Sequence, residues 1–172
     1  MPSSKGSCAV THPHNEPPLN PVPPVVIALF LVIVGIEVVF TLGARGIVGG
    51  PGAIGWRIGF MEQFAFSPEI LDWMQATGRW SIEHLLRMFS YPFVHANFTH
   101  ALFAGVMLLA LGKMVGEAMG SFAVIAIFFV SASGGALVYA LTTGNTTTLI
   151  GAFPASYGLI GGFSYRQWLR RG

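Results

Sequence analysis

The sequence predicts an all-α membrane protein, a bundle of about four transmembrane helices with shorter helices at the membrane interface. Three observations carry this. Charged residues are only 9% of the 172-residue chain and hydrophobic residues are 53%, where a soluble domain carries about 25% charged. The apolar residues fall into long runs without the periodic polar positions of half-exposed helices or strands. Between the first and second run lies a mixed, Trp-rich stretch of the kind that rests at a bilayer surface.

The elements follow in chain order. Residues 1–24 hold Pro2, Pro13, Pro17, Pro18, Pro21, Pro23 and Pro24 among small and polar side chains, a composition unable to bury enough surface to order itself. They read as a disordered cytoplasmic tail. A signal peptide is not expected, because the apolar run starts only at Val25 and is too long for such a segment. Residues 25–172 read as one membrane domain. Its first helix is Val25 to Leu42, interrupted by the single charge Glu37, about the length that a hydrocarbon core of roughly 30 Å requires.

Gly43 to Asn97 sets Arg45, Arg57, Arg79 and Arg87 against Glu62, Glu69, Asp72 and Glu83, with Trp56, Trp73 and Trp80 spread along it. Short interfacial helices are expected there. Phe98 to Val115 reads as the second span, Ser121 to Leu141 as the third and Pro154 to Leu169 as a shorter fourth. Lys113 ends the second span, and Arg166, Arg170 and Arg171 end the fourth. Basic residues favour the cytoplasmic side, which puts both termini in the cytoplasm; Lys5 agrees. The arginines after the first span then lie outside, which a loop approaching ~60 residues tolerates. The expected location is the inner or plasma membrane of a bacterium.

Composition also excludes functions. The net charge is +2, but the nine basic residues are scattered and form no stripe with aromatics, so nucleic-acid binding is not expected. Cys8 is the single cysteine, leaving no disulfide within the chain and no CxxC metal motif.

Several residues carry possible chemistry. Gly105, Gly134, Gly135, Gly158, Gly161 and Gly162 stand where helices in lipid approach closely, and mark interfaces rather than chemistry. His95 and His100, in YPFVHANFTHALF, place two imidazoles where a loop meets a membrane helix, and a polar group at that depth needs a partner. A hydrogen-bonding structural role and a role in holding water or a polar substrate group are both open. With no HExxH pattern and no nearby Cys or carboxylate to complete a ligand set, neither a metal nor a cofactor is expected. Glu37 and Glu117 are carboxylates within or beside spans and are functional candidates by position. Asn97 and Asn145 begin N-x-Thr sequons.

Taken together, Arg87, YPFVHANFTHALF, Gly112, Gly120 and GAFPASYGLIGGF resemble the core of the rhomboid intramembrane serine proteases, from about Leu85 to Leu169. That family reads as an Arg, eight residues to the first His of HxxxxH, four more from the second His to an Asn, and later GxSGxxxGLxG. Arg87, His95 and His100 match that spacing. Gly112, Tyr157, Gly158 and Gly161 fall at matching positions. The resemblance implies a helical bundle and hydrolysis of peptide bonds within the membrane by a Ser-His dyad, with an oxyanion site of His, Asn and backbone donors.

The chain departs from that pattern. In register, Gly151 holds its place, but Phe153 stands at the nucleophile position and Pro154 at the glycine after it. A phenyl ring cannot attack a carbonyl. Ala104 replaces the Asn, removing a donor of the kind whose loss costs on the order of 10²- to 10³-fold in rate. The oxyanion positions are thus His95, His100, Ala104 and Gly151. The family's carboxylate on the second span aligns with Gly116, leaving Glu117 one place late. The base His of the family lies on a later helix, and the chain reads as incomplete there. Ser156 is the substitute nucleophile to weigh. Three readings stand: a disabled member that binds transmembrane segments of other proteins, an active serine endopeptidase with a non-standard site, and a structural assembly subunit in a homo- or hetero-oligomer. All of them are partners of membrane lipid.

Overall fold

The computed structural model describes residues 21–143 and 147–172. Most of the Pro-rich tail and the sequon at Asn145 lie outside the described residues. Seven α-helices are found among those described: α1 Pro24–Ala44, α2 Trp56–Phe64, α3 Pro68–Thr77, α4 Ile82–Ser90, α5 Phe98–Met119, α6 Ser121–Thr143 and α7 Phe153–Leu169. Two 3-10 turns, Pro51–Gly55 and Tyr91–Phe93, join them.

Local chemistry sets the boundaries. Pro24 opens α1 and Pro154 stands in the first turn of α7, where the missing N–H costs nothing and the fixed φ suits the helix. At the other end of α1, the Ile47 N–H reaches the Leu42 carbonyl at 3.0 Å and the Gly46 N–H reaches that of Gly43 at 2.9 Å. Gly46 at φ +70° supplies the left-handed residue that this capping needs. Gly120, at φ +91°, stands alone between α5 and α6 and reverses the chain between them.

α1, α5 and α6 are long and apolar enough to cross a membrane. α7 has 17 residues, spanning about 25 Å at 1.5 Å per residue, and packs most heavily on α6 and α5. The fourth expected span is a helix, but it is not among those long and apolar enough to cross a membrane. The interfacial helices expected between Gly43 and Asn97 are α2, α3 and α4. On α4, Ile82, Leu86 and Phe89 are 76%, 57% and 45% exposed, giving an outward apolar face suited to lipid rather than water.

Glycines decide how closely the long helices approach. A Cβ on Gly105, Gly112 or Gly116 would stand 2.9 Å from Phe30, 2.9 Å from Val26 and 2.5 Å from Pro23. One face of α5 is thus a groove for α1, and Gly116 is where the start of α1 touches α5. A Cβ on Gly158 would overlap the Ser131 hydroxyl, and one on Gly162 would meet Ile127 at 2.6 Å, seating α7 on α6. Gly135 lies against Pro154. Gly134 and Gly161 face open space, so these two do not mark an interface.

These pairings fix the depth of each helix. Pro23, Gly116, Val124 and the Arg166–Arg170 end of α7 share one end of the bundle, where Met114, Glu117, Arg166 and Arg170 line one cleft. Glu117 is 3.8 Å from Lys113 on the preceding turn. At the opposite end, Glu37, Phe98 and Ala101 line one hollow and Pro154 meets Gly135. α1 and α6 continue seven or eight residues beyond that level, about 10 Å at helical rise. The starts of α5 and α7 are therefore sunk below the rim that α1 and α6 form.

Candidate functional site

The sunken level is where the sequence candidates gather. Asn97 caps α5, its side-chain oxygen accepting the His100 backbone N–H at 2.9 Å. Such a cap satisfies a backbone donor that the first helical turn leaves without a partner. It gives the residue a structural role apart from its sequon. The cap fixes the helical register in which His100 projects toward the start of α7.

There the His100 ring lies nearly parallel to the Phe153 ring, with centroids 5.4 Å apart and 12° between planes. His95 meets His100 edge to face at 5.0 Å. Gly151 completes the wall: at φ +92° it adopts a backbone conformation that favours glycine, and a Cβ there would stand 2.5 Å from His100 Nε2.

Tyr91 anchors this assembly. It is fully buried and its hydroxyl donates to the Ala132 carbonyl at 2.8 Å. Its own carbonyl accepts the Gly151 N–H at 3.1 Å. One residue thereby ties the loop before α5 to α6 and to the segment that enters α7. Phe66 and Leu149 exchange two backbone hydrogen bonds, at 3.1 and 2.8 Å, tying the interfacial segment to the same place.

His95 is 3% exposed, and its Nε2 has no hydrogen-bond partner among the described residues. Burial, reinforced by the neighbouring His100, lowers its pKa from 6.5 to about 4. It is neutral at neutral pH. Its backbone carbonyl accepts from Arg57 Nη1 at 3.0 Å. Arg57 also grips Glu37 through both nitrogens, Nη1 to Oε2 at 2.8 Å and Nη2 to Oε1 at 2.6 Å, a bidentate geometry that adds both strength and direction. Thr41 Oγ1 adds a longer bond to Glu37 at 3.3 Å. The carboxylate of α1 thus holds α2 and, through it, the histidine loop.

Other candidates lie elsewhere. Ala104 is fully buried in α5. Ser156 is fully buried one turn below the start of α7, and its Oγ bonds to nothing among the described residues, neither histidine included. Tyr157 is 63% exposed. It lines an open cavity of about 590 Å³ with Asn97, Thr99, His100, Phe103, Met107 and Phe153. The Arg87 side chain makes no hydrogen bond to the histidine loop among the described residues; it lines a separate pocket on α4, and the guanidinium that bonds the loop is that of Arg57. Arg57 and Tyr91 were not distinguished in the sequence as site residues. The available signal was Glu37, a carboxylate within a span that required a cation.

Chemically, the arrangement holds an aromatic ring against the His100 imidazole at the start of α7. No group of three or more His, Cys, Asp or Glu residues converges among those described.

No curated protein and no solved structure matches the chain. A family model described as the rhomboid domain matches residues 83–172, more than half of the chain, from α4 through α7. With apolar spans in α1, α5 and α6 and the His95–His100 pair set against the start of α7, this chain is an integral membrane protein that belongs to the rhomboid family.

Proposed function

We propose that this chain is a catalytically disabled rhomboid-family protein that binds transmembrane segments of other membrane proteins without cutting them. The observation that carries the reading is the Phe153 ring stacked on His100 at the first residue of α7. The position facing the imidazole holds a side chain with no nucleophilic atom. Ser156 does not compensate. A serine nucleophile needs an adjacent base and access to substrate, and Ser156 has neither a hydrogen-bonded histidine nor exposure.

The cavity beside Phe153 suits binding. Phe103, Met107 and Tyr157 offer apolar contact, while Asn97, Thr99 and His100 offer hydrogen-bonding groups. A transmembrane segment that unwinds locally in lipid exposes backbone groups costing several kcal/mol each unless partnered, and such a cleft supplies partners. The experiment combines two readouts on the full chain in detergent. A serine-directed fluorophosphonate is expected to leave the protein unlabelled; labelling lost in Ser156→Ala would overturn the disabled reading. A photoreactive residue at Phe103 is expected to capture transmembrane helices of co-expressed membrane proteins, and capture of none would remove the binding function.

A second reading, an assembly subunit within an oligomer, is favoured by the outward stripe of α7. Tyr157, Ile160, Tyr165 and Trp168 are 63%, 39%, 59% and 69% exposed along it. Crosslinking that recovers only monomer would sink that reading. Lys113, Arg166, Arg170 and Arg171 on the α5 and α7 ends support a cytoplasmic position for both termini in a bacterial inner membrane.

A further inference from the structure

Arg87 is the family-matching residue that the histidine site does not use. It is half-buried on α4, its Nε is buried without a hydrogen-bond partner, and it has neither an ion pair nor a hydrogen bond among the described residues. A guanidinium in that state is costly in an apolar setting unless something pairs with it.

The setting is apolar. Arg87 lines a pocket of about 490 Å³ whose walls are mostly phenyl and aliphatic: Phe64, Leu86, Phe89, Phe93 and Phe129. Gln63, Glu83 and Ser90 supply its other polar groups. Ser90 is already spent on the Phe64 carbonyl at 2.9 Å. Glu83 stands one turn before Arg87 and forms no ion pair with it among the described residues.

Position points the same way. Phe89 and Phe93 pack on Phe129 with centroids 6.2 and 6.3 Å apart. Phe129 lies fourteen residues before the end of α6, about 21 Å along its axis. The pocket therefore flanks a membrane span below the rim, and the outward face of α4 beside it is the apolar row Ile82, Leu86 and Phe89. What reaches a single unpaired cation through lipid, between aromatic walls, is itself amphiphilic.

We propose that this pocket is a binding site for one anionic phospholipid, its phosphate on Arg87 and an acyl chain along Phe64, Phe89, Phe93 and Phe129. The charge requires an anion, the walls require a hydrocarbon tail, and a membrane lipid carries both. Glu83 tempers the site by opposing the phosphate.

The test uses the purified full chain in detergent, titrated with phosphatidylglycerol, with phosphatidylcholine of the same acyl chains, and with inorganic phosphate, reading bound lipid by native mass spectrometry and the melting midpoint. Phosphatidylglycerol is expected to bind and stabilise at lower concentration than phosphatidylcholine, and inorganic phosphate to do neither. Arg87→Gln should weaken the phosphatidylglycerol response by at least roughly fivefold, the effect of one cation at a membrane, and Glu83→Gln should strengthen it. Equal responses of wild type and Arg87→Gln, or stabilisation by inorganic phosphate alone, would overturn the proposal. Should Arg87→Gln fail to fold, hydrogen exchange on the wild type decides: phosphatidylglycerol must slow exchange across residues 82–93 more than phosphatidylcholine does, and an equal effect overturns the site.

Discussion

Removing Arg57 is expected to destabilise the protein far more than neutralising its partner Glu37, although both substitutions break the same ion pair. The side chain of Glu37 is 5% exposed and that of Arg57 is 22% exposed. Arg57→Met keeps most of the apolar stem but strips the carboxylate of both short bonds, leaving it Thr41 Oγ1 at 3.3 Å among the described residues. It also leaves the His95 carbonyl without its donor. Abandoning one member of a buried pair costs about 3–5 kcal/mol. Glu37→Gln keeps the shape and one acceptor for Arg57, whose partial exposure lets the charge stay hydrated while it still donates to His95. Its cost should be about 1–2 kcal/mol.

Removing both charges, Glu37→Leu with Arg57→Met, eliminates the stranded carboxylate and should recover roughly 2 kcal/mol relative to Arg57→Met alone. The assay is unfolding in mixed micelles of increasing denaturing-detergent fraction, followed by circular dichroism. If Arg57→Met costs no more than Glu37→Gln, or if the double variant recovers nothing relative to Arg57→Met alone, the pair does not hold the histidine loop.

Two further outcomes are expected. Because the pKa of His95 falls from 6.5 to about 4 on folding, the unfolded chain takes up the proton first. Its contribution is complete above about pH 6.5 and is lost as pH falls toward 4, by up to about 3 kcal/mol. The melting midpoint should drop over that window in wild type and less steeply in His95→Asn; identical slopes would refute the assignment. Gly158→Ala should destabilise, since its Cβ overlaps Ser131, while Gly161→Ala, facing open space, should be neutral or stabilise by up to about 1 kcal/mol through helix propensity. Melting midpoints that fall equally would show that α7 does not sit on α6 through Gly158.

The spans were legible because lipid imposes a length and forbids polar backbone without internal partners. Val25 to Leu42, Phe98 to Val115 and Ser121 to Leu141 needed only a turn or less of extension at their ends. The spacing of His95 and His100 located the site for a local reason, since Asn97 caps the helix that projects His100. Two features were not legible. Glu37 announced that it needed a partner but not that the partner was Arg57, twenty residues on, because the path of the interfacial helices is set by contacts such as Phe66 with Leu149 that carry no sequence period. The spacing of Arg87 to His95 fixes only distance along the chain, and α4 turns the Arg87 side chain into another pocket. The glycines divide similarly: composition marks Gly134 and Gly135 alike, and only the approach of Pro154 separates them.

The glycines around the site and the side chains that line it obey different physical demands. Gly151, Gly112 and Gly158 are kept where a Cβ would strike His100, Val26 or Ser131, so each maintains the depth and separation of helices. The side chains of Phe153 and Ala104 offer neither a nucleophile nor a hydrogen-bond donor: Ala104 is fully buried, and Phe153 spreads over an imidazole. On the proposed reading, this cavity binds a segment without cutting it. That is why the decisive comparison is between capture at Phe103, which lines the cavity, and labelling at Ser156, buried in α7, two readouts that separate holding a segment from cutting it.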